Sequence, residues 1–242
     1  MNRILFEKGE IENGIAVCSG ARADHIVNIL HGEVGQQLKT GEIDGLIGSG
    51  EIVKIEQNGD GYSVSVRVSH DRESLKPWID IVLAPPRPRV MKRLLPQLAT
   101  MGVGRIVLVG AKKVEKDFWG ATLLKEENYR PLLIDGLMQA GTSTMPEIVC
   151  RRNFRRFVKD ELDAMFPDSL RIVAHPGSEA SQFANAAERP LLAIGPEGGW
   201  TDEEVATLES KGFARYSLGP RILRTDTAAI ALVSVLSRTS QI

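Results

Sequence analysis

Cysteine is scarce: Cys18 and Cys150 are the only two in 242 residues, and no CxxC spacing occurs. That excludes a disulfide framework and a cysteine-based structural zinc site, and it points to a reducing compartment. The four histidines, His25, His31, His70 and His175, fall into no HxxxH or HExxH pattern, so no metal site is expected. No apolar run reaches membrane-spanning length and no signal-peptide pattern is visible, so a cytoplasmic protein with no membrane partner is expected. Neither sign of charge dominates: the net charge of −1 names no partner. The common phosphate cradles are missing. There is no GxxxxGK followed by Ser or Thr, and "GLIGSGEI" at 45–52 departs from GxGxxG. A GxSxG nucleophile elbow is missing too.

What is present is unevenly distributed. Residues 1–73 carry seven Lys/Arg and twelve Asp/Glu, whereas 74–242 carry 23 basic and 19 acidic residues. The texture changes at the same place. The first ~70 residues read as short Val- and Ile-containing strands between Gly and Asn-Gly-Asp turns. "YSVSVRV" alternates strictly, with Tyr62, Val64, Val66 and Val68 on one face, as a half-buried antiparallel strand does. "ADHIVNIL" is the one helical insert, with Asp24 as its expected cap. This segment is expected to form a small barrel or sandwich.

After Asp71 apolar strands alternate with helices. "WIDIVLAPP", "GRIVLVG", "LRIVAHPG", "LLAIG" and "FARYSLG" read as strands. "RVMKRLLPQLATMGV", "EENYRPLLIDGLMQAGT", the short "SQFANAAE", "TDEEVATLESKG" and "DTAAIALVSVLSR" read as helices. Pro96 implies a kink or a later start in the first of these. The alternation predicts an α/β domain with a parallel sheet. The boundary is placed at 72/73, giving domains 1–72 and 73–242.

Three strand exits in the second domain carry Gly and Pro where the strand stops: Ala174–Gly177 ("AHPG"), Gly195–Gly199 ("GPEGG") and Leu218–Ala228 ("LGPRILRTDTA"). In an open α/β sheet, ligands bind beyond the C-terminal strand ends. Glycine lets the backbone approach a ligand closely and proline stiffens the loop. Thr201 with Glu204 makes a capping box for the following helix.

"LLAIGPEGGWTDEE" followed by "LGPRILRTDTAAIAL" resembles the RsmE-like family of ribosomal RNA methyltransferases, and the likeness extends over essentially the whole chain. "NRILF" and "DHIVNIL" resemble the family's N-terminal PUA-like β-barrel, and "RVMKRLLPQLATMGVGRIVLV" the start of its catalytic domain. The resemblance implies a SPOUT-class C-terminal domain tied in a trefoil knot, with S-adenosyl-L-methionine as cofactor. It also implies methylation at N3 of a uridine in 16S ribosomal RNA of the small subunit, and a homodimer. The cofactor-binding residues it implies come from three loops: Ala174, His175, Pro176 and Gly177; Ile194, Gly195, Pro196, Glu197, Gly198 and Gly199; and Leu218, Gly219, Ile222, Leu223, Thr225, Thr227 and Ala228. Glu197 has two readings, toward the ribose hydroxyls or sulfonium, or as a cap on the adjoining helix dipole.

Deprotonated N3 calls for a nearby guanidinium. Arg224 is the first choice, Arg221 the second, and Asp226 takes the proton or caps the last helix. RNA contacts are expected from Arg3, from Arg87, Arg89, Lys92 and Arg93, and from Lys112 and Lys113, with a further basic run from Arg151 to Lys159. The chain departs from the family pattern at Asn28, His31, Thr100, Ala111-Lys112-Lys113, Met138–Thr142 and in "RTDT". Two rivals stand beside the main reading. One is a SPOUT enzyme acting on a different RNA target. The other is a non-catalytic RNA-binding or ribosome-assembly relative.

Overall fold

The computed structural model describes residues 3–59, 61–176 and 189–239. The short helix expected over 181–188, and Gly177, lie outside them. The chain forms two compact units, one of Met1–Lys76 with Ile134–Met145, the other of Pro77–Leu133 with Pro146–Ile242.

The first unit is a six-stranded sheet in the order β1-β4-β5-β6-β3-β2. Its strands are β1 (Ile4–Phe6), β2 (Ile11–Glu12), β3 (Ile15–Ser19), β4 (Gln37–Glu42), β5 (Ile47–Asn58) and β6 (Gly61–Arg72). β1 runs parallel to β4 and the other pairs are antiparallel. The pairing closes no barrel among the described residues. The alternation in β6 plays out as expected: Val64 and Val66 are fully buried, and Tyr62 and Val68 pack against the same cluster as Ile4, Phe6, Ile26 and Ile52. Gly48 is required where β5 shifts register, because a Cβ there would lie 2.0 Å from the Ser69 carbonyl oxygen.

α1 (Ala21–Asp24) continues as a π-turn over His25–Ile29. Asp24 does not cap it. The helix starts from Gly20, and Asp24 is the residue whose N–H donates to the Gly20 carbonyl, 3.0 Å away. Cys18 and Cys150 are both free; burial pushes the Cys18 thiol up to about 11.

Arg3, expected on RNA, is buried in this unit. Its Nη1 donates to the carbonyls of Thr40 (2.5 Å) and Gly48 (3.0 Å), and its Nε donates to Gly141 O at 2.9 Å. A guanidinium spent on three backbone carbonyls, at 6% exposure, is a staple and not a phosphate contact.

The second unit is an all-parallel sheet in the order β12-β10-β11-β7-β8-β9. The strands are β7 (Ile79–Leu83), β8 (Val103–Val109), β9 (Glu147–Arg151), β10 (Leu170–Ala174), β11 (Pro190–Ile194) and β12 (Ala214–Tyr216). Every residue of β7 and β11 is buried, as central strands between two helical layers should be, and the charged one, Asp80, accepts from the Arg105 N–H (2.7 Å) and from Arg189 Nη2 (2.6 Å). On one face Val82, Val107, Leu191 and Ala193 meet Phe154 of α4 (Phe154–Arg156), Leu162 of α5 (Leu162–Met165) and Val205 and Leu208 of α6 (Asp202–Glu209).

α2 (Pro88–Thr100) contacts β8 and α7 (Thr225–Thr239), and α7 contacts β11. α2 runs from Pro88 at its first turn through Pro96, so the later start is not what occurs. α3 (Glu126–Ala140) begins in this unit and contributes its C-terminal residues to the first.

Arg3→Met is expected to lower the unfolding free energy by about 2–4 kcal/mol, because three carbonyls lose their donor. Urea unfolding measures this, and a loss below about 1 kcal/mol would mean that the staple is dispensable.

Candidate functional site

A cavity of about 320 Å³ opens at the C-terminal ends of β10, β11 and β12, where the three suspect loops leave the sheet. Ala174, His175 and Pro176 form one wall, with the His175 N–H donating to Tyr216 O at 3.0 Å. The second wall is the turn after β11. Gly199 N donates to Pro196 O at 2.7 Å, and Gly199 has φ +68°. A Cβ on Gly195 would lie 2.9 Å from the Trp200 backbone nitrogen, so the turn can close only over a bare α-carbon.

What holds this turn is Glu204. Its Oε2 accepts from the Thr201 N–H (2.8 Å) and hydroxyl (3.1 Å), and the Thr201 hydroxyl in turn accepts from Glu204 N, completing the capping box. Its Oε1 accepts the Lys112 N–H at 2.7 Å, which ties in the loop after β8. The neighbouring Lys113 reaches from that loop to donate to Gly198 O at 2.7 Å. Gly198 leaves room for it: a Cβ there would meet Lys113 Cδ at 2.9 Å. Lys113 therefore serves the turn through its ammonium group, while Lys112 presents an exposed side chain. Glu197 lines the cavity and does not cap the adjoining helix, whose cap is Thr201 with Glu204. Its Oε1 accepts the N–H of Arg87, the residue that precedes α2, at 3.0 Å.

The third wall is the loop from β12 to α7. Ser217 bonds Gly219 across its first turn. Leu218, Ile222 and Leu223 line the cavity while 38%, 86% and 37% exposed, an apolar edge beside an open space. Thr225 is buried and donates to Gly195 O at 3.3 Å, joining the start of α7 to the turn.

Thr225, Ala228 and Leu232 line the cavity at helical spacing; Thr227, one residue out of phase, does not, nor does Gly219. Leu232, Trp200, Tyr216 and Ser217 are lining residues that the motifs did not name, and the three- and four-residue steps from Thr225 are the signal that could have found Leu232.

Arg221 lines the cavity, whereas Arg224 is exposed beside it, its guanidinium making no hydrogen bond or ion pair among the described residues. Asp226 is not the cap of α7 but an acid within its first turn. It accepts from Arg93 Nη2 at 3.3 Å and from Thr227 N at 2.9 Å. Arg93 is therefore occupied. Arg89 and Lys92 are exposed on α2, and Arg87 pairs with Glu115 at 3.0 Å. Among the described residues no group of three His, Cys, Asp or Glu could hold a metal ion, and no helix is long and apolar enough to cross a membrane.

The RNA methyltransferase domain model matches residues 73–237. Ribosomal RNA small subunit methyltransferase E of Treponema pallidum is 31% identical, across 98% of this chain and 90% of its own length. The chain belongs to the ribosomal RNA small subunit methyltransferase E family. The family's methyltransferase E 1 of Borreliella burgdorferi is 27% identical over 96% of the chain and 95% of its own. A Legionella pneumophila methyltransferase, solved with its bound cofactor SAM, superposes with TM-score 0.75 at 26% identity, over 98% of this chain and 97% of that one. A methyltransferase E of Neisseria gonorrhoeae, also at TM-score 0.75, shares 18% identity and so speaks to the fold.

Glu204→Ala is expected to lower the unfolding free energy by about 2–4 kcal/mol, because it removes a cap and leaves buried N–H groups unpaired. Glu204→Gln, which keeps an acceptor, should recover roughly half of that loss in the same urea titration.

Proposed function

We infer that this protein methylates 16S ribosomal RNA of the small subunit, using S-adenosylmethionine, at N3 of a uridine. The observation that carries this reading is the cavity assembled by the two family motifs at the exits of β10, β11 and β12, in a chain with a named family relative over nearly its full length. The lining suits an adenosyl sulfonium ligand. About 320 Å³ lies within the usual range for small-molecule sites, and backbone groups from three loops face it beside an apolar edge. When bound, the cofactor supplies an electrophilic methyl group.

The chain's own residues do the rest. Leu218, Ile222 and Leu223 pack against the adenine faces and exclude water. Backbone groups of Gly195–Gly199 and Ala174–Pro176 read polar edges. Thr225 fixes the turn against α7. Arg224 is free to meet the nucleobase, where its charge-assisted N–H groups stabilise the anion left when N3 loses its proton. Asp226, held by Arg93 in the same turn, is the carboxylate assigned to receive that proton. Holding base and methyl donor in line supplies much of the acceleration.

Three finer features belong to the same proposal. A trefoil knot is supported by the path from β12, an edge strand, back to Gly195 at the end of β11, with β10 lying between them. A PUA-like role for the first unit is supported by its six mostly antiparallel strands. A homodimer is supported by Val235, an apolar side chain left 36% exposed on α7.

Two substitutions test the assignment. Because Arg224 lies outside the lining, Arg224→Ala should leave S-adenosylmethionine affinity within threefold by calorimetry, yet slow methyl transfer to unmodified small subunits at least tenfold. Unchanged turnover would remove Arg224 from the mechanism. Gly195→Ala, whose Cβ meets backbone that cannot step aside, should weaken cofactor affinity at least tenfold. Gly198→Ala displaces only the flexible Lys113 stem and should cost less than threefold. Nucleoside mass spectrometry of the product should show 3-methyluridine; a different methylated nucleoside would overturn the target.

A further inference from the structure

A second cavity, of about 350 Å³, lies where β8 and β9 end, also on the C-terminal side of the parallel sheet. It flanks the same connection that walls the first: Thr201 and Glu204 line it, and Glu204 holds the Lys112 N–H. Three cations converge on it, Lys112, Arg152 and Arg155. Arg155 is paired with Glu203, and Glu204 is buried and already bonded to backbone N–H groups. Neither Lys112 nor Arg152 is paired with a carboxylate among the described residues.

Arg152 is also pre-set. Its guanidinium carbon sits 5.8 Å from the centre of the Trp119 ring, and one N–H donates to Trp119 O at 3.2 Å. The Trp119 ring stands edge-on to buried Phe118, with centroids 5.5 Å apart. A planar cation held against an anchored aromatic ring loses little freedom on binding an anion, and its remaining N–H groups match the geometry of phosphate oxygens. An Arg–Trp stack beside a basic cleft also offers a π surface for an unpaired base.

We propose that this cleft holds a backbone phosphodiester of the substrate RNA strand flanking the nucleotide that enters the cofactor cavity, with Lys112 and Arg152 as its anion contacts and the Trp119–Arg152 stack beside it. The proposal rests on the functional reading above. It adds a positioning site that shares the Pro196–Glu204 segment with the cofactor turn, so that strand and methyl donor are set by one rigid connection.

The test compares the full-length protein with Lys112→Ala/Arg152→Gln. Both side chains are exposed, so the fold should tolerate the change. Lys125→Ala/Arg215→Gln removes the same charge elsewhere in the unit, at two exposed residues paired with Glu127 and Glu209. Fluorescence anisotropy would follow binding of unmodified 16S transcript across a salt series, and calorimetry would follow S-adenosylmethionine. The cleft variant should bind RNA at least fivefold more weakly, with a log Kd against log salt slope smaller by roughly one to two, while cofactor affinity stays within twofold. The control should stay within twofold on both readouts.

Equal RNA affinity and slope for the cleft variant and the wild type would overturn the proposal, as would an equal loss in the control. If millimolar inorganic phosphate stabilises the wild type but not the cleft variant, and RNA binding is unaltered, the cleft is a free-anion site and the RNA proposal falls. A wild type that binds cofactor but no RNA would overturn the functional reading itself, and this one with it.

Discussion

One buried carboxylate organises the chemistry-bearing end of the parallel sheet. Glu204 satisfies the first turn of α6 through Thr201, and it satisfies the backbone of Lys112 beyond β8. A carboxylate taken out of water is tolerable only when donors surround it, and here they come from two segments 92 residues apart in the chain. The consequence is mechanical. The turn after β11 is clamped to α6 behind it and to the β8 loop beside it, and each of the two cavities uses one side of that clamp as a wall. Lys113 adds a second tie at Gly198.

Two of the three glycines at this turn therefore do different work. Gly195 is bare because backbone crowds it, whereas Gly198 is bare because a lysine stem crosses it. The motif looks like a ligand cradle, yet only Gly199 has open space where a Cβ would be, and the protein's packing on itself accounts for both of the others. The same holds for Glu197, whose carboxylate faces the start of α2. The large apolar side chains that stay exposed at the cavity, against the usual preference for burial, lie in the third loop.

Local signals in the sequence carried far. Alternation in "YSVSVRV", the Thr201–Glu204 box and the strand–helix rhythm after Asp71 each depend on residues within a few positions of one another, and each has its counterpart in the structure. What stayed illegible depends on partners far away in the chain. Arg3 looks like any exposed cation until Gly141, 138 residues on, supplies a carbonyl. Lys113 and Arg93 are likewise claimed by Gly198 and Asp226. Asp24 and Asp226 each lie inside the helix they look suited to cap, because helix starts depend on backbone geometry that a single capping-type side chain does not determine. Met138–Thr142, where the chain leaves the family's side-chain pattern, contributes carbonyls to Arg3, which any residue would provide.

The division of α3 between the units bears on the order in which the chain is made. The first unit includes Ile134–Met145, and its buried Arg3 is satisfied only when Gly141 is in place. A nascent chain that has emerged only through residue 76 carries all six strands of that sheet but still lacks the acceptor and the Met138 side chain that complete its interior. The N-terminal unit therefore cannot finish folding before Pro77–Leu133 of the other has been synthesised, so vectorial, one-domain-at-a-time folding is closed to this protein.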